Sequence, residues 1–139
     1  MKLHTINQPL LEGCVDSYAS AMAAFRGGAD RLELCANLSI GGTTPSAGLF
    51  CLVRRDCTIP IHVLIRPRFG DFLYTKEELE EMRDEIAFFR NLGADGVVTG
   101  VLTPQGELDL DHMRPLMASA EKMHVTLHRA FDMARDPYE

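Results

Sequence analysis

The chain has 139 residues, 46% of them hydrophobic and 24% charged, and we expect residues 1–139 to form one globular domain. Fourteen basic and 20 acidic residues give a formal net charge of −6, which argues against a general nucleic-acid surface because that needs a basic stripe. No run of about 18 apolar residues is present, so no membrane span is predicted. The first residues lack an apolar secretory stretch, which predicts a cytoplasmic protein.

Short apolar runs alternate along the chain with longer amphipathic runs. The short runs predict five β-strands, over residues 10–15, 31–35, 59–66, 95–101 and 125–129. The longer runs predict helices over residues 17–26, 46–55, 75–92 and 110–121, and residues 136 and 137 resemble the start of a fifth. The clearest helix opens with a capping box, Thr75 to Glu78, and Gly93 ends it.

This alternation of strands and helices predicts a parallel sheet, because parallel strands need crossover connections. In four of the strands one set of alternate residues is apolar, and the other set is largely polar. The second set is Glu12, Cys14, Arg31, Glu33, Cys35, His62, Leu64, Arg66, Thr126 and His128. A doubly wound sheet covers both sets with helices, whereas the inside of a barrel accepts polar residues. The pattern therefore favours an α/β fold, a TIM-type (β/α) barrel with parallel strands and outer helices.

The predicted barrel is incomplete, since a complete eight-stranded barrel needs about 250 residues. Five strands leave the first and the last strand with unpaired backbone groups along one edge. We therefore expect the isolated chain to self-associate as a homo-oligomer, to aggregate, or to need its missing half.

The first candidate site is formed by two short motifs, Glu12-x-Cys14 and Glu33-x-Cys35, at the ends of adjacent strands. If the two inward thiols lie at equal height, they can share one soft metal ion, and thiolates select Cu(I) or zinc. The alternative is that Cys14 and Cys35 are small buried hydrophobic residues, as free cysteines usually are.

The second candidate site is the sequence after the third strand, where Arg66 and Arg68 precede a glycine-containing loop. Two arginines at a strand end are typical of an anion clamp. An equally open interpretation is a structural salt-bridge network with Glu12, Glu33 or Asp71, because buried arginines need partners.

Two further segments carry candidate groups. His128 follows the fifth strand in the inward set and could serve as a general acid or base, as a metal ligand, or as a satisfied core residue. Residues 41–46, GGTTPS, lead into a helix whose first N–H groups could hold an anion, although a plain turn and cap is the simpler interpretation.

Taken together, these segments resemble the CutC copper-homeostasis family. The matching stretches, in family order, are residues 12–17 (EGCVDS), 28–35 (GADRLELC), 41–46 (GGTTPS), 65–72 (IRPRFGDF), 93–96 (GADG) and 128–132 (HRAFD). The resemblance implies a TIM-type barrel, a cytoplasmic role in copper homeostasis, and Cu(I) bound through Cys14 and Cys35, with no established enzymatic activity. Family members continue for roughly another hundred residues, enough to complete a barrel, including a glycine-rich phosphate-type site after strands seven and eight.

Three functions remain open from the sequence. The first is copper binding or handling by the paired thiolates. The second is a barrel enzyme acting on a small anionic substrate, with acid–base groups from Glu12, Glu33 and His128 and an anion held by Arg31, Arg66, Arg68 and Arg129. The third is a fragment without function. Arginines at the strand ends favour the enzyme, and aligned thiols favour copper.

Overall fold

The computed structural model describes residues 8–136 and residue 138. Its strands are β1 Glu12–Val15, β2 Arg31–Leu34, β3 Ile61–Leu64, β4 Gly96–Thr99 and β5 His124–Leu127. Its α-helices are α1 Tyr18–Arg26, α2 Ala47–Asp56, α3 Lys76–Leu92, α4 Leu110–Ala120 and α5 Ala130–Met133, and a 3-10 turn spans Leu38–Ile40. None of the described helices is long and apolar enough to cross a membrane.

The five strands form one parallel sheet in the order β1-β2-β3-β4-β5. Each strand is followed by a helix, and consecutive strands are neighbours, which is the connectivity of a (β/α) barrel. The sheet is open, because within the described residues β1 pairs only with β2 and β5 only with β4. The predicted incomplete barrel is therefore confirmed.

The main hydrophobic core lies between the sheet and its helices, as the apolar set of strand residues predicts. Leu32, Leu34, Ile61, Val63 and Ile65 are all buried, and they pack with helix residues that include Phe50, Met82, Ile86 and Phe89. On the other face of the sheet a small second cluster contains Cys35, Leu64 and Val98. The two alternate sets thus separate onto the two faces, which leaves the inner face for polar groups.

Short-range signals in the sequence fix the starts of the helices. Ser17 caps α1 and Thr75 caps α3, each through a reciprocal capping box, while Ser46 and Asp109 cap α2 and α4. Gly93 ends α3 in a left-handed conformation, with φ of 96°. These local interactions explain why all four predicted long helices appear close to their predicted bounds.

The chain after β5 differs from the prediction. A short helix, α5, begins at Ala130, immediately after His128 and Arg129. Four residues are too few to show a helical period, so the sequence pattern gave no sign of it. The sequence also predicts the start of a fifth helix at residues 136 and 137. Asp136 is not helical in the structure, and residue 137 lies outside the described residues.

Candidate functional site

The strand register decides which inward side chains meet. Cys14 lies opposite Glu33, Glu33 opposite His62, and His62 opposite Gly96. Cys35 is therefore two residues farther along β2 than the position facing Cys14, about 6.6 Å of strand. The condition that the two thiols lie opposite each other is therefore not met. The reason is that neighbouring strands of a barrel are staggered, so equal motifs do not stand at equal heights.

Glu33 nevertheless connects the two thiols. The Sγ atom of Cys14 donates to Glu33 Oε2 at 3.4 Å, and the Sγ atom of Cys35 lies 3.8 Å from Glu33 Oε1. Burial, followed by the charge of Glu33, raises the pKa of Cys14 to about 11 and raises the pKa of Cys35 further. Burial also raises the pKa of Glu33 itself. Without a metal, both sulfurs are therefore protonated thiols near neutral pH.

Glu12 and Arg31 form an ion pair where β1 and β2 begin. Glu12, Cys14 and Glu33 also place one ligand atom each within 4.8 Å of one another, a group able to hold a metal ion among the described residues. That group contains one soft sulfur and two hard oxygen donors, whereas Cys14 and Cys35 together offer two sulfurs. The geometry thus presents two overlapping donor sets that share Cys14.

A cavity of about 780 Å³ opens at the carboxyl ends of the strands, and we call it the strand-end cavity. Six of the nine candidate residues line it: Cys14, Glu33, Cys35, Arg66, His128 and Arg129. Apolar side chains from Leu38, Ile40, Leu64, Phe72, Val98 and Leu127 form much of the rest of its wall. Glu12, Arg31 and Arg68 are not among its lining residues.

Arg66 is the buried cation of the strand-end cavity, with 7% of its surface exposed. Its Nη1 donates to the Gly42 carbonyl at 3.0 Å and its Nη2 to the Gly70 carbonyl at 2.7 Å. The guanidinium lies over the Phe72 ring, 5.1 Å from the centroid. Its predicted pairing with a strand-end carboxylate is absent from the described part of the chain, where each Nη group donates to a backbone carbonyl instead.

Arg68 lies apart from Arg66 although only Pro67 separates them. Its Nε donates to Glu78 at 2.7 Å, and its Nη2 donates to Asp71 at 3.1 Å. It also lies over the Tyr74 ring. The structure therefore does not form the expected clamp of two arginines. The chain leaves the sheet at this point, so the alternation of a strand no longer brings residues i and i+2 to one face.

His128 borders the strand-end cavity as a neutral side chain. Its Nδ1 accepts a hydrogen bond from the Ala130 N–H at 3.1 Å, which leaves the ring proton on Nε2. Burial, and then the nearby charge of Arg66, lowers the pKa of His128 to about 4. Phe72 packs against the ring at a centroid distance of 4.9 Å. Arg129, by contrast, is largely exposed at the cavity rim beside Asp132.

The loop of residues 41–46 holds Arg66 in place. The Gly42 carbonyl binds Arg66, and Thr44 bonds the Arg66 backbone through its own N–H and its hydroxyl. Gly41 has a φ of 93°, a left-handed conformation that favours glycine, and a Cβ atom there would lie 3.1 Å from Arg66 Nη1. The simpler interpretation, a turn followed by a cap at Ser46, describes this loop.

Sequence reasoning overlooked a histidine pair where the strands begin. His62 is buried, and its ring stacks on that of His124 at 5.9 Å with an interplanar angle of 14°. Gly96 stands between them in register, and a Cβ there would lie 2.8 Å from the His62 ring. The alternate-residue pattern placed His62 inside, but only the register shows that a glycine makes room for the stack.

Comparison with known proteins decides the family. The sequence model of the CutC family matches residues 9–139. The chain belongs to the CutC family. Its CutC relatives include the human "copper homeostasis protein cutC homolog", 51% identical over 136 residues, covering 98% of this chain and 50% of that protein. The CutC family protein of Chromobacterium violaceum is 51% identical over 128 residues, covering 92% and 52%.

A solved CutC structure confirms the fold. The crystal structure of a protein named CutC from Streptococcus agalactiae superposes with a TM-score of 0.86 at 32% identity, covering 91% of this chain and 62% of that chain. The chain spans about half the length of the curated CutC relatives it matches. The open sheet is therefore consistent with part of a CutC barrel.

Proposed function

We propose that this CutC chain binds Cu(I) through the thiolates of Cys14 and Cys35, as part of a cytoplasmic copper-homeostasis role. The observation that carries the proposal is that one carboxylate, Glu33, contacts both sulfurs inside one cavity. Two soft sulfur donors suit Cu(I) better than any hard cation. Family membership, and the copper homeostasis named for the human relative, support the same role.

Because the two thiols are offset along their strands, Cu(I) binding depends on where Glu33 lies between them. Each sulfur contacts a different oxygen of Glu33, so the carboxylate lies where the two sulfurs would approach a common ion. Cys14 and Cys35 would hold Cu(I) as thiolates, with their two protons released to solvent, and Glu33 would then no longer accept hydrogen bonds from the thiols. Cys51 is exposed on α2 and does not line the strand-end cavity, which makes it a matched control.

Titration of Cu(I) against a competing chelator under reducing conditions tests the thiol pair. Cys14→Ser and Cys35→Ser should each weaken binding by more than about a hundredfold, because even partners outside the ligand shell are worth about 10–100-fold. Cys51→Ser should bind as tightly as the parent. Equal affinity of the two site variants and the parent, with loss in Cys51→Ser, would rule out this pair.

A parallel titration with Zn(II) separates the two donor sets. If Glu12→Gln and Cys14→Ser abolish metal binding while Cys35→Ser leaves it intact, the ion sits on the mixed group of one thiol and two carboxylates. Dependence of Cu(I) binding on Cys35 but not on Glu12 supports the thiol pair instead.

We also propose that the isolated chain self-associates. Within the described residues β1 and β5 each have one free edge, and the inner face of β5 carries the exposed residues His124 and Thr126. Size-exclusion chromatography with light scattering should show oligomers or aggregates. A monomer at micromolar concentration with a sharp two-state melt would contradict this expectation.

A further inference from the structure

The strand-end cavity is far larger than a metal ion needs. Its volume of about 780 Å³ falls in the range of small-molecule sites, roughly 300–1,000 Å³. Its wall is mainly apolar, with a few polar groups, and that combination is typical of sites for organic ligands. The thiols and Glu33 form only part of this lining, so the proposed metal site leaves most of the cavity wall without a role.

Arg66 supplies a charge that no carboxylate pairs with among the residues the structure describes. Its side chain is buried, with 7% of the residue exposed. Among the described residues its Nη groups donate to the carbonyls of Gly42 and Gly70, and its Nε is buried without a partner. Carbonyls satisfy N–H donors but do not neutralise a guanidinium, and an isolated buried charge is costly. The other charged groups of the cavity are engaged elsewhere, since Glu33 holds the thiols and Asp132 lies beside Arg129 at the rim.

His128 adds a second unpaired donor to the same wall. Its Nε2 is buried and has no hydrogen-bond partner among the residues the structure describes. Because Nδ1 accepts from Ala130, Nε2 carries the proton and donates. Phe72 packs against both Arg66 and His128, so these two groups belong to one corner of the cavity.

We propose that the strand-end cavity binds a small organic oxyanion, with its charged group beside Arg66 and His128 and its apolar body against Leu64, Val98 and Phe72. A carboxylate and a phosphate monoester share the required chemistry, an oxygen acceptor with negative charge. A ligand that reaches the buried donors displaces the Phe72 ring. This inference is independent of copper, because it uses neither Cys14 nor Cys35.

Four probes test the proposal on the full chain at constant ionic strength. Benzoate and phenyl phosphate carry the two oxyanions on an apolar ring, benzamide is the neutral match of benzoate, and inorganic phosphate lacks the ring. Benzoate, phenyl phosphate or both should raise the melting temperature and give saturable binding by calorimetry. Benzoate alone indicates a carboxylate ligand, and phenyl phosphate alone indicates a phosphate monoester. Inorganic phosphate should bind more weakly than phenyl phosphate, and benzamide more weakly than benzoate.

Variants then locate the bound oxyanion. Arg66→Met should weaken binding by about tenfold to a hundredfold, the usual worth of a hydrogen bond to a charged group. Arg66→Gln removes the charge but keeps an amide that can bond the Gly42 carbonyl, so it serves if Arg66→Met does not fold. Arg68→Gln is the control, because Arg68 lies two residues away and binds Glu78 outside the cavity.

Three results would overturn the oxyanion site: no binding of either aromatic anion, benzamide binding as tightly as benzoate, or unchanged binding in the Arg66 variants. The copper and oxyanion proposals fail separately. The double variant Cys14→Ser with Cys35→Ser should lose Cu(I) but keep benzoate or phenyl phosphate, and Arg66→Gln should do the reverse.

Discussion

The two ends of the inner sheet face hold their charged groups in different ways. Where the strands begin, Arg31 pairs with Glu12, and His62 stacks on His124 across Gly96. Where the strands end, the hydrogen-bond partners of the Arg66 guanidinium among the described residues are backbone carbonyls, and His128 Nε2 has no partner there, beside a cavity. At both ends a histidine nitrogen lacks a partner among the described residues, His62 Nδ1 at the first and His128 Nε2 at the second. The ends differ in charge and space, because Arg31 has a carboxylate partner, whereas the buried Arg66 has none in the described part of the chain and borders a cavity. This contrast is why we propose a ligand site at the carboxyl ends of the strands.

Substitution of Gly96 tests how tightly the first end is packed, and we expect the largest effect here. A Cβ atom there would lie 2.8 Å from the His62 ring and 2.9 Å from the His124 carbonyl. Gly96→Ala should therefore lower the free energy of unfolding by about 2–3 kcal/mol, the upper part of the range for overpacking. Denaturant unfolding measures it. Gly48→Ala is the control, since the nearest atom lies 4.0 Å away and the helix should gain up to about 1 kcal/mol.

Substitution of Gly100 makes the matching test at the cavity end of the same strand. A Cβ atom there would approach Ala130 Cβ at 2.8 Å and His128 Cε1 at 2.9 Å. Ala130 is fully buried, but His128 borders the strand-end cavity, so we expect the His128 ring to relieve part of the contact. Gly100→Ala should cost about 1–2 kcal/mol. A cost larger than that of Gly96→Ala would show that the cavity end is the more rigid one.

The pH dependence of stability reports on His128. Its pKa in the folded chain is about 4, below the ordinary value of 6.5, so the unfolded chain binds the proton more readily. The contribution of this histidine to stability is therefore present above pH 6.5 and is lost as the pH falls towards 4. Between pH 7 and 4.5 the parent should lose on the order of 1–2 kcal/mol more than His128→Asn.

Comparing the parent with His128→Asn cancels the pH dependence of stability that arises from the carboxyl groups common to both proteins. Asn keeps an acceptor for the Ala130 N–H, so the variant changes titration more than packing. His62 provides the counterpart at the other end, because burial and then Arg31 lower its pKa as well. Parallel pH curves for the parent and His128→Asn would contradict the buried neutral state of His128.

A double-mutant cycle measures charge pairing at each end, and we expect the smallest energies here. Arg31→Met and Glu12→Gln should show a coupling of about 0.5–1 kcal/mol, modest because both side chains are more than a quarter exposed. Arg66→Met and Glu33→Gln should be additive within about 0.5 kcal/mol, since they share no ion pair. A larger coupling for the second cycle would mean that Glu33 neutralises Arg66, and it would weaken the case for an external anion.

The sequence by itself determined the strand–helix order, the inner and outer faces, the helix starts and the family. These follow from local signals: a period of two in the strands, capping at Ser17 and Thr75, and motifs in a fixed order. It also selected six residues that line the strand-end cavity. Each of these properties depends on residues near one another in the chain or on one strand.

Only the tertiary structure decided which groups meet. The stagger of β1 and β2 set Glu33, not Cys35, opposite Cys14. The exit of the chain after β3 sent Arg68 to Glu78 and left Arg66 with backbone carbonyls, and the pairing of β4 with its neighbours made room for the stack of His62 and His124. Register and side-chain partners come from packing between segments far apart in sequence, so residue types and spacing do not contain them.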